Sequence, residues 1–373
     1  MGGTATTLLL CFYGFLKEFR PSEPYLYEYQ HVYLNISEHV LNADVYPIWT
    51  YSYMVALFPV LLLTDVFLYK PMIILEAVSY VVVWSIFLSC RSVVSQQVVE
   101  VFYGCATATE VAYFSYIYVK VDKRQFKSVT SWTRAALLVG RSAAYGLAQI
   151  IVLCGLGSYR TLNIISLVSL SLALLFSSIL PNVSWRAAYK RKIESQGKEN
   201  EVAIENLSSY GEFVSDHFSH IYSDFRDMYR DIFILKWSVW WALANCALFQ
   251  ISNYTQNFMG YSIPVVLLAQ KLFVDWVKWG EIFLSLGSLA QGLLLFLLSQ
   301  TGQLFVMYAG YIAYRVIFQA MATIAQNNLA SGLKSESFGL LFGTNTFVAL
   351  VLQTILTVVV IDIANLSIRP QVN

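Results

Sequence analysis

Apolar residues fall along this chain in long bands, most of them near the roughly 20 residues a helix needs to cross a bilayer. They cover residues 6–19, 47–67, 72–89, 98–119, 130–153, 159–180, 232–251, 281–298, 304–329 and 338–361, with a shorter band at 258–274 that carries Lys271 near its end. Small residues recur inside the bands, as helix packing in lipid requires. The pattern predicts an all-α membrane protein of about 10–11 spans. One long polar interruption divides it into an amino-terminal six-helix half (1–181), a cytosolic linker (182–231) and a carboxy-terminal half (232–373). That is the layout of a two-half secondary transporter, which binds its substrate at the midplane between the halves.

The linker opens basic (RAAYKRK) and then turns polar and acidic. Its second part places Phe213, Val214, Phe218, Ile221, Tyr222, Phe225 and Tyr229 at helical spacing. This predicts an amphipathic helix, lying either along the membrane surface or against other loops. Loop charge orients the bundle. Tyr69–Lys70, KVDKRQFK at 120–127 and residues 186–198 are basic, whereas the first loop, 21–44, is acidic. The positive-inside rule then puts the amino terminus and the basic loops in the cytosol, with the plasma membrane as the expected location. The first loop lies outside, where the sequon Asn35-Ile36-Ser37 is open to glycosylation.

Composition narrows the function classes. Hydrophobic residues make up 57% of 373 positions and charged ones 13%, about half the charged share of a soluble domain. A net charge of +1 with no basic stripe gives no footprint for nucleic acid. The five cysteines sit in apolar runs without a CxxC pair, and the four histidines sit in polar loops, so neither a disulfide framework nor a metal site is expected. No nucleophile elbow, phosphate-binding loop or HExxH motif is present, so no enzyme activity and no cofactor is expected.

The informative residues are therefore charges inside apolar bands. Glu110 lies within VVEVFYGCATATEVAYFSYIY, one turn before Tyr113. A carboxylate at that depth costs about 2.5 kcal/mol or more, so it faces a cavity and has a task, binding a substrate or exchanging a proton. Glu23, in Arg20-Pro21-Ser22-Glu23-Pro24, sits where two prolines break the first helix. It is either a site residue or half of a surface salt bridge. Tyr46 and Trp49 open the second span, where aromatics serve an interfacial belt or a binding cage. Carboxylates with aromatic faces suit an organic cation that carries a flat ring. Asp65, at the far end of that span, reads as a helix-end and gating contact, while Glu76, Glu100 and Glu281 are expected to snorkel. Arg134, Arg141 and Arg315 need partners, and for Arg141 these are Glu110 or an anionic substrate.

Several long motifs occur in order: RPSEPYL (20–26), PIWTYSY (47–53), LLTDVFLYKPMIIL (62–75), QVVEVFYGCATATEVAYFSYIY (97–118), WSVWWALA (237–244), NYTQ (253–256) and FGLLFGTNTFVALVLQTILTVVVID (338–362). Through them the chain resembles the folate and thiamine transporter family of the major facilitator superfamily. The resemblance implies that fold, and a substrate site built from Glu23, Tyr46, Trp49, Glu110, Tyr113 and Asn253. RPSEP and Gln353 resemble the thiamine branch, whereas TRAALLVG (133–140) leans toward the folate branch.

Two departures from the family stand out: the eighth span is shortened, without the family's acidic substrate contact, and no twelfth span follows residue 368. The expected function is thiamine transport by alternating access. The alternatives are uptake of folate or another anionic vitamin, and a non-transporting membrane relative with an incomplete second half. The expected partners are the vitamin, the lipid bilayer and, through Glu110, protons.

Overall fold

The computed structural model describes residues 2–120, 125–186, 210–252, 276–333 and 337–359. Eleven long helices are described there. They are α1 (Gly2–Glu18), α2 (Tyr46–Leu63), α3 (Lys70–Ser89), α4 (Val93–Lys120), α5 (Phe126–Leu153), α6 (Tyr159–Ile179), α7 (Tyr210–Arg230), α8 (Ile232–Ser252), α9 (Trp276–Gln300), α10 (Leu304–Gly332) and α11 (Phe338–Val358). Seven of them are long and apolar enough to cross a membrane throughout: α2, α3, α5, α6, α8, α9 and α11. The shortened eighth band and everything beyond residue 359 lie outside the described residues.

The sequence sets several of these boundaries. Pro47 and Pro71 occupy the first turns of α2 and α3, where a missing backbone N–H leaves no hydrogen bond unmade. Between those helices the chain reverses through Leu68 and Tyr69, both at positive φ (57° and 70°). Non-glycine residues hold that conformation only where their surroundings enforce it. Here the Tyr69 hydroxyl donates to Asp65 Oδ1 at 2.6 Å. α6 begins with a capping box between Ser158 and Thr161.

The helices pack in two groups. α3 lies against α4 and α6, α2 against α4, and α1 against α5 and α6. In the second group α8 lies against α10 and α11, and α9 against α10. α1 and α5 approach so closely at Gly140 that a Cβ there would collide with the Phe15 carbonyl oxygen. The groups meet where α11 lies on α2 and α4, and where α10 lies on α5. Helix direction puts the α2–α3 turn, the start of α11 and α7 at one end of the bundle, called here the linker face.

The amphipathic pattern of 213–229 does form a helix, but its apolar residues are not all on the buried side. Phe213 and Met228 are buried together with the polar His217 and Asp224, whereas Phe218, Tyr222 and Phe225 are exposed. α7 bonds to both groups: Tyr210 Oη donates to the Val66 carbonyl (2.8 Å) and Tyr229 Oη to Asn345 Oδ1 (2.7 Å). At the other end, residues 23–45 fold into short helical turns rather than an open loop. Tyr29 is buried there and donates to the Phe87 carbonyl at 2.5 Å. Asn35 stays exposed on a left-handed turn.

Candidate substrate site

A cavity of about 220 Å³ lies between the two groups of helices. Helical spacing builds its walls. α4 supplies Thr107, Glu110, Val111 and Phe114, and α5 supplies Arg134, Leu137, Leu138 and Arg141. From the second group come Trp241, Asn245 and Phe249 on α8, Phe318, Gln319, Ala322 and Gln326 on α10, and Phe342 and Thr346 on α11. Tyr53 and Glu18 complete it from α2 and α1. The walls are thus mostly aromatic and aliphatic, with four charged side chains and several amides, the usual make-up of a small-molecule site.

Glu110 is the carboxylate most open to the cavity, with 30% of its side chain exposed. Its Oε1 accepts from Lys17 Nζ at 3.0 Å. Lys17 also donates to Glu76 Oε1 at 2.6 Å, and Tyr13 Oη donates to Glu76 Oε2 at 2.9 Å. Lys17 and Glu76 are sealed from solvent, at 1% and 0% side-chain exposure. Glu76 therefore does not snorkel. It sits two turns into α3, with no route to an interface, and its charge is held by Lys17. Glu281 does reach the surface, where it meets Lys236 at 3.4 Å. Glu100 is half-buried, with no ion pair among the described residues.

A second ionic chain runs along the end of α1. Arg141 donates to Glu18 Oε2 through Nε (2.7 Å), and its Nη2 lies 2.5 Å from the same oxygen. Arg20 meets Glu18 at 3.2 Å and Glu23 at 3.3 Å. Tyr103 Oη donates to Glu23 Oε1 at 2.8 Å, and the Arg20 guanidinium lies over the Tyr80 ring at 4.8 Å. Arg141 therefore takes Glu18, not Glu110, as its partner.

Arg134 has a different environment. Nε donates to Gln326 Oε1 (2.6 Å) and Nη1 to Gln319 Oε1 (3.2 Å), so it reaches across from α5 to α10. Its guanidinium lies over Phe114 and Trp241, and among the described residues no carboxylate pairs with it. Arg315 is buried near Tyr311, Tyr314, Tyr145 and Arg141, and does not line the cavity.

The residues expected at the site are thus spread over three places. Glu110 lines the cavity. Trp49 stands behind its wall, donating from Nε1 to Thr107 Oγ1 at 3.3 Å. Tyr113 is fully buried, its hydroxyl on the Leu10 carbonyl (3.0 Å) and Lys17 4.5 Å above its ring. Glu23 and Tyr46 lie farther out, with Tyr46 Oη donating to Gln30 Oε1 at 2.8 Å. Asn253 lies outside the described residues. The partner of Glu23 on α4 is Tyr103, seven residues and about 10 Å along the helix from Glu110.

At the linker face Asp65 accepts hydrogen bonds from the Gly339 and Leu340 amides, each at 3.0 Å. These are unpaired donors in the first turn of α11, where a negative charge is favoured. A Cβ on Gly339 would lie 2.9 Å from Asp65 Oδ1, so the approach needs glycine. Tyr118 stacks on Phe342 and packs on Phe126 and Phe338 beside this contact. The expected helix-end contact at Asp65 thus joins the two groups of helices.

The family model for the reduced folate carrier matches residues 4–264 and 260–373. The chain belongs to the reduced folate carrier family. Relatives of this carrier include Folate-like transporter 2 of Caenorhabditis elegans, 51% identical over 98% of this chain and 91% of that protein. Thiamine transporter 1 of Homo sapiens is 34% identical over 97% and 84% of the two chains. Among solved structures, the major facilitator superfamily proton:xylose symporter XylE aligns over 98% of this chain and 90% of its own, with a TM-score of 0.58 at 13% identity. FucP, solved in the outward conformation, aligns over 98% and 93% with a TM-score of 0.57, also at 13% identity. The fold is that of the major facilitator superfamily. The carrier is a multi-pass membrane transporter of the folate and thiamine family.

Proposed function

We propose that this carrier moves thiamine across the plasma membrane by alternating access, with the linker face in the cytosol. The reading is carried by Glu110, a carboxylate presented to a cavity whose walls include Tyr53, Phe114, Trp241 and Phe249. A flat heteroaromatic cation gains there from charge pairing and from the π faces. Only Glu110 Oε1 is engaged by Lys17, which leaves the second oxygen for the substrate. The basic α2–α3 turn at Tyr69–Lys70, which lies at the linker face, supports the orientation.

A second reading, uptake of folate or another anionic vitamin, is favoured by one observation. Arg134 faces the cavity with amide partners alone, and a planar guanidinium is suited to a substrate carboxylate. The resemblance to Folate-like transporter 2 leans the same way. Cells expressing the chain, offered labelled thiamine and labelled folate with each unlabelled competitor, separate the two readings. Thiamine uptake that only thiamine suppresses supports the first. Folate uptake that is indifferent to thiamine overturns it in favour of the second.

A further inference from the structure

We propose that Glu76, which has no access to the cavity, keeps the cavity receptive to positive charge by balancing Lys17. Lys17 stands between two carboxylates, 2.6 Å from Glu76 and 3.0 Å from Glu110. One ammonium against two carboxylates leaves the group with a net negative charge. Only Glu110 is open to the cavity, so the excess is felt there. Glu76 holds its place through Tyr13, which binds its other oxygen at 2.9 Å. Without the Glu76 charge, the ammonium would neutralise Glu110 and the group would present no net charge.

The surroundings sharpen this role. The chain Arg141, Glu18, Arg20 and Glu23 pairs two cations with two carboxylates and is balanced within itself. Arg134 adds a positive charge to the opposite wall. Without the negative excess on the triad of Lys17, Glu76 and Glu110, Arg134 would leave the lining with a net positive charge. Coulomb attraction acts over such distances in a poorly screened interior, so a buried carboxylate behind the wall biases what the wall attracts. Glu76 is a positioning residue in this account. It acts through Lys17 and does not touch the substrate.

A charge reporter in the cavity tests the assignment without reference to any substrate. The five native cysteines are replaced and Thr346→Cys is introduced on the α11 wall. The reporter's reaction rates with a cationic and an anionic methanethiosulfonate reagent are then compared. Glu76→Gln should lower the cation-to-anion rate ratio on the order of tenfold. Glu76→Gln combined with Lys17→Gln leaves Glu110 as the triad's only charge, and the ratio should return toward its starting value. A merely structural role for Glu76 predicts the opposite order, with the double variant more disturbed than the single one. A ratio unchanged in the single variant, or a double variant displaced further than the single, overturns the proposal. The matching fall in thiamine uptake relative to folate uptake rests on the thiamine reading. If the reagent ratios behave as expected and thiamine is not carried, the substrate reading fails and the charge assignment stands.

Discussion

Arg141 and Glu18 are joined twice, through Nε at 2.7 Å and through Nη2 at 2.5 Å, and Glu18 is also shared with Arg20. One buried carboxylate thereby holds two guanidinium groups together at the end of α1. Breaking a buried ion pair by removing one partner costs about 3–5 kcal/mol, because the other charge is left uncompensated.

The two sides of this contact are therefore not equivalent. Glu18→Gln takes a shared carboxylate from both Arg141 and Arg20, whereas Arg141→Gln leaves Glu18 paired with Arg20. Thermal unfolding of the purified carrier in detergent should show a markedly larger loss of stability for Glu18→Gln than for Arg141→Gln. Equal losses would mean that the shared carboxylate does not organise the cluster.

Arg134 gives a second prediction. Its planar fork serves Gln326 and Gln319 at once, and lysine cannot reproduce two such bonds from one ammonium. Arg134→Lys should reduce transport roughly tenfold at unchanged surface abundance, since it weakens a contact between the two groups of helices by about 1.5–3 kcal/mol. Transport at the parent rate would show that the bridge is dispensable.

Much of the fold was legible because it follows from periodicity and length. The apolar bands matched described helices wherever the structure describes them. The candidate site was legible only in part. Glu110 stood out as an acid deep in an apolar band, and it lines the cavity. Its partner was hidden in Lys17-Glu18-Phe19-Arg20, which looks like a polar flank but folds into the bundle. Glu76 looked free to snorkel because a sequence does not show how far a side chain lies from the interface. The pairing of Glu23 with Tyr103 was illegible for a related reason: contacts between helices depend on their relative depth, which spacing along one helix does not encode. The exposure of Phe218, Tyr222 and Phe225 on α7 was missed because the seven apolar positions fit one broad stripe equally well.

Asp65 supplies a third prediction. Its carboxylate caps α11 from across the group boundary, so Asp65→Ala removes a charged cap and two hydrogen bonds together. The loss is about 1–3 kcal/mol of closure energy at the linker face. A cysteine placed at Ser337, beside the cap, should then react faster with a membrane-impermeant reagent applied from the linker face. An unchanged rate would show that Asp65 does not hold that end closed.

The exposed Asn35 offers a test of orientation. It lies at the end of the bundle opposite the linker face, on a turn with Ser37 two residues on. Asn35→Gln should remove a glycosidase-sensitive increase in apparent mass from protein expressed in animal cells. If wild type and variant migrate alike before and after glycosidase, that turn is not glycosylated.

The most direct test of the account is Glu110→Gln, which keeps the shape of the side chain and its contact with Lys17 while removing the charge the cavity presents. Labelled thiamine uptake is measured beside surface labelling of the same cells. With the carrier at its normal surface level, thiamine uptake should fall by about two orders of magnitude, the effect of losing a charge-assisted contact of about 3 kcal/mol. Thiamine uptake that persists at the wild-type rate in Glu110→Gln would contradict the claim that this carboxylate is the substrate's counter-charge.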